Sequence, residues 1–396
     1  MQNVCFKKIL FIAQFPVDYQ ISIYNACRKN FNTNVVFLAN YGHQNSYDPE
    51  FKSNIQRFNP HREWKFNYFF LNKKNFKNNG SFFAHSSLKH LTFIKDLKPD
   101  LVIMQGYFSF SEIMAIIYTK IFSEAKIILK GESVLNSELK KNKSFFLKLK
   151  ILLKKIVLKY LLKCTDKIIF FSRKNMAFWK FYSVPDSKLF WAPCIADAQT
   201  YIFNKVEEDN KIIKLQKLFN SVPPKKVKLA FVGRFIERKR ILETVKIITQ
   251  NKNIQLFLAG SGILEQEIRE LIIEKKINNV TLIGTLNYSE LSVLYSQVDV
   301  GVLLSKYDPS PKVLNEFLDH EIPCIVSKEI GTANDLIKNN VSGYVLNEIT
   351  TNSFNSVFKK LQKKKFFKNS LSFSKHIKKW SGEVWVKSFE KAVRKW

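Results

Sequence analysis

The sequence predicts an α/β protein built from two doubly wound domains, and three observations carry that expectation. At 396 residues the chain is longer than one hydrophobic core usually supports. In both halves, short unbroken runs of Val, Ile and Leu alternate with longer stretches of helical periodicity, the pattern of parallel strands covered by helices on both faces. A polar, charged interval holding Pro223 and Pro224 separates the halves and reads as a linker region. The expected division is an N-terminal domain over 1–200, a linker region over 201–226, a C-terminal domain over 227–372, and a terminal helix over 373–396 that packs back toward the N-terminal domain.

The first alternation opens with a strand at Lys8–Ala13, a helix near Ile21–Asn30 and a strand at Asn34–Leu38, followed by a polar stretch to about Gly80. A helix into Leu97, a strand at Asp100–Met104, a helix over Ser111–Phe122 and a strand at Lys126–Leu129 continue it. A long basic helix over Lys148–Lys163 and strands at Lys167–Phe171 and Phe190–Cys194 close the domain. In the second alternation the strands fall at Lys228–Val232, Gln255–Ala259, Thr281–Ile283, Val300–Leu303 and Cys324–Val326, with helical stretches between them. Aromatic residues at helical spacing mark the tail from Phe373 to Trp396, with no strand after them.

Five scattered cysteines without a C-x-x-C pair argue against a disulfide framework or a structural zinc site and for a reducing, cytoplasmic setting. The first apolar run, Ile9 to Ala13, is too short for a signal-peptide core, and no apolar stretch reaches the roughly 18 to 20 residues of a membrane span. The expectation is a soluble or peripheral protein. A formal charge of +31 calls for an anionic partner or a heavily solvated surface. Abundant Lys, Asn, Ile and Phe fit a coding bias as well as a functional basic surface, so composition leaves both readings open. Within the helix from Ser144 to Lys163, Lys148, Lys155, Lys159 and Lys163 fall on an arc of about 80°. That stripe suits an anionic membrane surface as partner; it equally suits a core-packed helix with a solvated edge.

Three strand ends carry the chemistry. After Lys228–Val232 comes Gly233-Arg234-Phe235-Ile236-Glu237-Arg238-Lys239, a glycine turn with three cations, where helix amides and cationic side chains together stabilise a diphosphate. A solvated loop reads the same way in isolation. After Gln255–Ala259 come Gly260-Ser261-Gly262, a tight turn beside a ligand or an ordinary strand-to-helix turn. After Val300–Leu303 comes Asp308-Pro309-Ser310-Pro311-Lys312-Val313-Leu314-Asn315-Glu316, two carboxylates seven residues apart around the start of a helix. Amides at that helix start can receive phosphate oxygens, and Glu316, over one turn deeper, can accept hydrogen bonds from vicinal hydroxyls. His320, beside it, reads as a helix-end residue.

In these segments, FVGRFIERK, LFLAGSG, VTLIGTLNYSELSVLYSQVDVGVLLS and YDPSPKVLNEFLDHEIPCIVS continuing to NNVSGYVL, the C-terminal half resembles the donor domain of glycosyltransferase family 4. The resemblance implies the GT-B fold, two doubly wound Rossmann-like domains facing across a cleft. It also implies a retaining, hexosyltransferase-type enzyme that uses a nucleotide sugar as donor substrate. The family carries two acidic residues at this spacing, usually both glutamate; here the first is Asp308, a shorter side chain. Carried over, Arg234 and Lys239 bind the donor diphosphate, Glu316 the nucleotide ribose, Asp308 the donor-sugar hydroxyls, and the Ser310, Pro311, Lys312, Val313 and Leu314 backbone the phosphates. Gly233, Arg238, Gly260, Gly262 and Gly284 complete the expected donor site.

The N-terminal half matches more loosely, through ILFIAQFPVDYQISIYN, EWKFNYFFL, KPDLVIMQGY, LKGES and the segment from Cys164 to Asp197. Where many relatives have a histidine, this chain has Gln105-Gly106-Tyr107, so no catalytic histidine is nominated. Acceptor-side candidates are Asp18 and Tyr19 in the first loop, Gln105, and Glu132 at a strand end; a turn after Pro16 and a helix cap are the plain alternatives. No histidine cluster and no Asp-x-Asp pair is present, so neither a cofactor nor a metal is expected and cations take the metal's place. The expected acceptor is a lipid-linked or surface-polysaccharide glycan. Rival readings are a nucleotide-sugar epimerase, for which acid and base groups around the sugar are missing, and a basic nucleic-acid-binding protein, for which no module is visible.

Overall fold

A computed structural model describes residues 6–39, 46–48, 53–55, 63–71, 82–83, 86–135, 144–195, 210–363 and 371–394. The chain divides into two compact units, the first from residues 1–46, 60–194 and 381–396, the second from 47–59 and 195–380.

The first unit begins with β1 (Lys8–Ala13), α1 (Asp18–Cys27) and β2 (Asn32–Phe37). A two-stranded ribbon of β3 (Ser46–Asp48) and β4 (Ser53–Ile55) lies apart from the main sheets. Then come β5 (Asn67–Phe70), α2 (His90–Leu97), β6 (Leu101–Met104), α3 (Phe110–Phe122) and β7 (Lys126–Lys130). The unit continues through α4 (Phe145–Cys164), β8 (Lys167–Phe170), α5 (Arg173–Phe181) and β9 (Leu189–Trp191). Seven strands form a parallel sheet in the order β5-β2-β1-β6-β7-β8-β9. Its central strands are buried on both faces, as unbroken apolar runs require. Leu10, Ile12, Val102, Met104 and Ile127 meet Phe178 and Trp179 of α5 in one core.

The second unit holds α6 (Asn210–Asn220), β10 (Val227–Val232), a 3-10 turn (Glu237–Lys239), α7 (Ile241–Ile248), β11 (Ile254–Ala259) and α8 (Glu265–Glu274). It continues through β12 (Val280–Gly284), α9 (Tyr288–Gln297), β13 (Val300–Leu303), α10 (Lys312–Asp319) and β14 (Cys324–Ser327). Then come α11 (Ala333–Leu336), β15 (Gly343–Leu346), α12 (Thr351–Lys363) and α13 (Leu371–Ile377). Six parallel strands run β12-β11-β10-β13-β14-β15.

Four expectations need correction. The interval expected as linker contains α6, whose Ile212, Leu215 and Phe219 are buried, with Phe219 edge-on to Phe257 at 4.7 Å; residues 201–209 lie outside the described ones. Lys214, Gln216 and Lys217 between those three apolar positions make the interval read as polar. Strand β5 occupies part of the stretch read as polar, because its aromatic side chains pack on rings outside the strand, Phe70 on Phe37 of β2 at 5.3 Å and Tyr68 on Trp64 at 4.7 Å, without in-out alternation. Asp18 and Tyr19 are not in a loop but in the first turn of α1, after an extended Val17. The single helix expected over 373–396 is two: α13, in the second unit, where His376 Nε2 lies 2.7 Å from Leu336 O, and α14 (Gly382–Val393) in the first. Ser381 caps α14, and Phe389 packs edge-on to Phe31 at 5.7 Å.

Candidate functional site

In the second sheet the strand order reverses between β10 and β13, and the carboxyl ends beside such a switch point form the natural ligand crevice of an open α/β sheet. Three backbone hydrogen bonds lace the loops there: Gly233 N to Ala259 O at 3.0 Å, Phe235 N to Ser261 O at 2.8 Å, and Gly260 N to Gly284 O at 2.7 Å. Gly260 is required by its neighbour, since a Cβ there would lie 2.0 Å from Gly233 O. A Cβ on Gly262 would meet Phe235 O at 2.6 Å. Both glycines thus serve loop-on-loop packing. Gly284, in left-handed backbone with φ of +73° and open space at its Cβ position, ends β12 in a turn that glycine adopts without strain.

Lys239, at the end of the 3-10 turn, donates to Asp308 Oδ2, and both side chains are buried. The Arg238 guanidinium stands 4.0 Å from the same carboxylate oxygen. Lys306 N donates to Arg238 O at 2.8 Å, and Gly331 N to Asp308 O at 2.7 Å, so the loops after β10, β13 and β14 hold one another. Arg240, in left-handed backbone at φ of +52°, reaches Leu304 O at 3.3 Å and starts α7. Arg234 sits half-buried on the glycine turn.

Helix α10 begins after Pro311, whose side chain offers no cap, leaving first-turn amides at an end that carries partial positive charge. Ser310 is buried and its Oγ lies 3.2 Å from Lys312 Nζ. One expected contact does not hold. Leu314 N already donates to Pro311 O at 3.0 Å, and its side chain is fully buried, so that amide is already engaged within the turn. Glu316, one turn in, accepts from the Tyr295 hydroxyl at 2.7 Å. Burial, reinforced by the Glu316 charge, pushes the Tyr295 phenol well above its usual range, so it remains a donor. The His320 ring packs on Tyr295 at 4.8 Å, its Nδ1 is 2.9 Å from Glu316 O, and burial lowers its pKa. His320 is the helix-end residue expected.

Residues 214–380 match the family profile "Glycosyl transferases group 1". That stretch, under half of the chain, is similar to the family's domain. An uncharacterised glycosyltransferase of Methanocaldococcus jannaschii is 30% identical over 119 residues, 29% of this chain and 30% of the relative; the match thus spans under a third of that protein's length. Among solved structures, HepE of Anabaena in complex with UDP and glucose superposes with a TM-score of 0.69 at 13% identity, covering 98% of this chain and 100% of that one. Sucrose-phosphate synthase of Thermosynechococcus elongatus gives 0.68 at 14%, covering 98% and 99%. A lipopolysaccharide outer core galactosyltransferase gives 0.65 at 15%, covering 98% and 99%. At these identities the likeness establishes the fold, GT-B with two Rossmann-like units.

The matching stretch therefore holds every expected donor-side residue, and the acceptor-side candidates lie in the first unit. There the Tyr19 hydroxyl donates to Glu132 Oε1 at 3.2 Å, Lys130 Nζ is 3.8 Å from the same oxygen and 5.2 Å from the centre of the Tyr19 ring. Asn175 Nδ2 fixes the loop through Gly131 O at 2.9 Å and Ser133 O at 2.6 Å. Gln105 N donates to Ile12 O at 3.0 Å, while its Oε1 is buried without a hydrogen-bond partner among the described residues. Asp18 stands at the start of α1. Tyr295 and Asn175 escaped sequence reasoning because each reaches its partner through tertiary structure alone. Among the described residues no three His, Cys, Asp or Glu side chains group as a metal would require, and no helix is long and apolar enough to cross a membrane.

Proposed function

We propose that the chain is a retaining glycosyltransferase whose group 1 domain holds a nucleoside diphosphate sugar and whose acceptor is a lipid-linked or surface-polysaccharide glycan, reached from the inner face of an anionic membrane as a peripheral protein. One observation carries the reading. At a single switch point, Arg238 and the Lys239–Asp308 pair meet the uncapped start of α10, with the Glu316 carboxylate one turn deeper. A diphosphate needs dense fixed positive charge, a ribose needs a paired acceptor, and the donor sugar needs a polar edge; along one loop and helix Asp308 stands at the sugar, the start of α10 at the phosphates and Glu316 at the ribose, with the cations of the Gly233–Lys239 loop beside them. Arg234 and Lys239 take the diphosphate, Glu316 the ribose and Asp308 the sugar hydroxyls. Without donor, Lys239 and Asp308 neutralise each other; an incoming diphosphate competes for Lys239 and frees Asp308 toward the sugar. In transfer, the bond from the anomeric carbon to the diphosphate oxygen breaks and a bond to the acceptor oxygen forms. The acceptor proton passes to the leaving phosphate, and growing charge on that phosphate is met by Arg234. UDP bound to HepE and the lipopolysaccharide role of the galactosyltransferase support the choice of donor and acceptor class.

The test is a panel of nucleoside diphosphate sugars in thermal shift, since a ligand bound to the native state raises apparent stability, followed by transfer or slow donor hydrolysis with and without EDTA. Activity is expected to survive chelation; loss restored by magnesium or manganese would refute a site built on cations alone. Arg234→Ala is expected to lower kcat by on the order of 10² to 10³, more than it raises donor KM, whereas Glu316→Gln raises donor KM as well. Near-normal transfer by both folded variants would remove this loop from the donor site.

A further inference from the structure

Helix α4 has two apolar faces. Leu158, Leu161 and Leu162 are buried against the first unit. At about 100° per residue, Leu149, Leu152, Leu153, Ile156, Val157 and Tyr160 fall on an arc of about 140° opposite them. All six are exposed, from 42% for Leu149 to 63% for Tyr160. A helix apolar all round is normally enclosed by protein or by lipid. Lys148 and Lys159 edge the exposed face on one side and Lys150 on the other, Lys163 falls within its arc at the last turn with its Nζ 5.8 Å from the centre of the Tyr160 ring, and α4 contains no acidic residue. Lys154 and Lys155 point back onto the unit, over the Phe178 and Phe181 rings at 4.7 and 4.5 Å, which fixes the rotation of the helix. Neighbouring α3, which packs beside α4, ends in Ile121 and Phe122, 64% and 70% exposed.

We infer that this outer face of α4 inserts into the headgroup–acyl boundary of an anionic leaflet, with the lysines that edge it against lipid phosphates. The inference rests on the peripheral-membrane reading above and deepens it. The lysine stripe seen in the sequence describes adsorption by charge alone, whereas the structure adds a broad apolar face that only a partner with a hydrocarbon layer can cover. A second copy of this chain fits poorly: pairing would bring two acid-free, lysine-rich helices together in molecules of net charge +31, and like charges repel. A leaflet offers apolar depth and negative charge in the geometry that the helix presents, a central apolar band edged by cations.

The experiment is sedimentation of the full chain with vesicles of phosphatidylglycerol and phosphatidylcholine at about one to three, or of phosphatidylcholine alone, at low and high salt. Tyr160→Trp serves as a fluorescent probe in the same vesicles, with brominated lipid as quencher. The expected result is binding to the mixed vesicles that high salt weakens without abolishing, with blue-shifted and quenched Trp emission. Leu149→Ser/Leu153→Ser/Ile156→Ser should lose on the order of 10²-fold in vesicle affinity. Lys148→Glu/Lys159→Glu should lose the preference for anionic lipid. All five changed positions are exposed, and an unchanged thermal midpoint confirms the fold. Vesicle binding that the serine variant keeps in full, or Trp emission that stays unshifted, would overturn insertion and leave charge adsorption. A dimer in solution that the serine variant converts to monomer, with no vesicle binding, would assign the face to a second copy instead. Nucleoside diphosphate binding, read separately by thermal shift, reports the donor site independently of either outcome.

Discussion

The two sheets reverse at equivalent places, between β1 and β6 in the first unit and between β10 and β13 in the second, yet the side chains at the two switch points carry opposite chemistry. In the second, Arg238, Lys239 and Arg240 gather in and just after one turn, and the one buried carboxylate among them, Asp308, is held by two of them. In the first, the most deeply buried ionisable group is an acid. Glu112 accepts from the backbone of Phe108 and Ser109 at 2.9 Å each and from Gln14 Nε2 at 3.1 Å, and burial raises its carboxyl pKa. Glu132 and Gln105 are polar neighbours there, and a single lysine, Lys130, stands beside Glu132. A cationic crevice suits a diphosphate, while one lined by carboxylates and amides suits neutral hydroxyl groups. Topology fixes where a ligand sits, and the loop side chains decide which ligand.

The sharpest way to break this contrast is to remove a cation from each side. Lys239→Ala strands Asp308 at a buried position with only Arg238 at 4.0 Å, and breaking a buried pair from one side costs about 3 to 5 kcal/mol. Lys130→Ala leaves Glu132, whose side chain is 32% exposed, within reach of water, and is expected to cost no more than about 1 kcal/mol. Urea unfolding of both variants measures the difference. Equal costs would mean that the two switch points are electrostatically alike. Lys239→Ala/Asp308→Asn should recover part of the loss, because no charge is then left buried without a partner.

The sequence exposed the second switch point better than the first, for a physical reason. Its ligand groups lie close together in the chain, Gly233 to Lys239 and Asp308 to Glu316, each directly after a buried parallel strand whose apolar run is easy to read. In the first unit the relevant contacts span long separations, Tyr19 to Glu132 and Gln14 to Glu112, and nothing local marks them. Strands β1 and β13 sit where their apolar runs place them. β5 and β15 were not foreseen, one because its aromatics pack on rings outside the strand, the other because Gly343-Tyr344-Val345-Leu346 is short and opens with glycine. That glycine is needed where a Cβ would come 1.9 Å from Cys324 O. Likewise, Gly260 looked like a ligand contact, whereas the neighbouring Gly233 carbonyl is what excludes a side chain.

Acid sharpens the comparison next. His90, on α2 of the first unit, is fully buried, and burial lowers its pKa from 6.5 to about 4. Between those values the unfolded chain binds a proton that the native chain refuses, so the contribution is present in full above 6.5 and is lost as pH falls toward 4. The size is about 3 kcal/mol. Glu112 works in the opposite sense, its raised pKa favouring the native state at low pH and losing that contribution as pH rises through the folded value. His90→Phe is therefore expected to flatten the acid side of the stability profile, with hydrogen exchange showing the gain in β1 and β6 and none in β10 and β13. An unchanged slope would place the acid sensitivity elsewhere.

The smallest expected effect concerns how the second switch point holds Glu316, the proposed ribose acceptor. Tyr295 is buried on α9, its ring edge-on to Phe317 at 5.3 Å, and its hydroxyl fixes one oxygen of Glu316 at 2.7 Å. A carboxylate held at one oxygen presents the other in a defined direction; released, it samples several rotamers, and donor binding must then order it. Tyr295→Phe keeps the ring and its packing, so the fold should survive. Its loss amounts to about 1 kcal/mol, read as a rise of roughly five- to tenfold in donor KM with kcat nearly unchanged. Because burial and the Glu316 charge keep the phenol protonated, the effect should not vary with pH across the working range. Glu316→Gln, by contrast, removes the charged acceptor itself and should weaken binding and turnover together. An unchanged donor KM in Tyr295→Phe would show that Glu316 is oriented without the tyrosine, while a fall in kcat equal to that of Arg234→Ala would move Tyr295 from holding the ribose acceptor to stabilising the departing diphosphate.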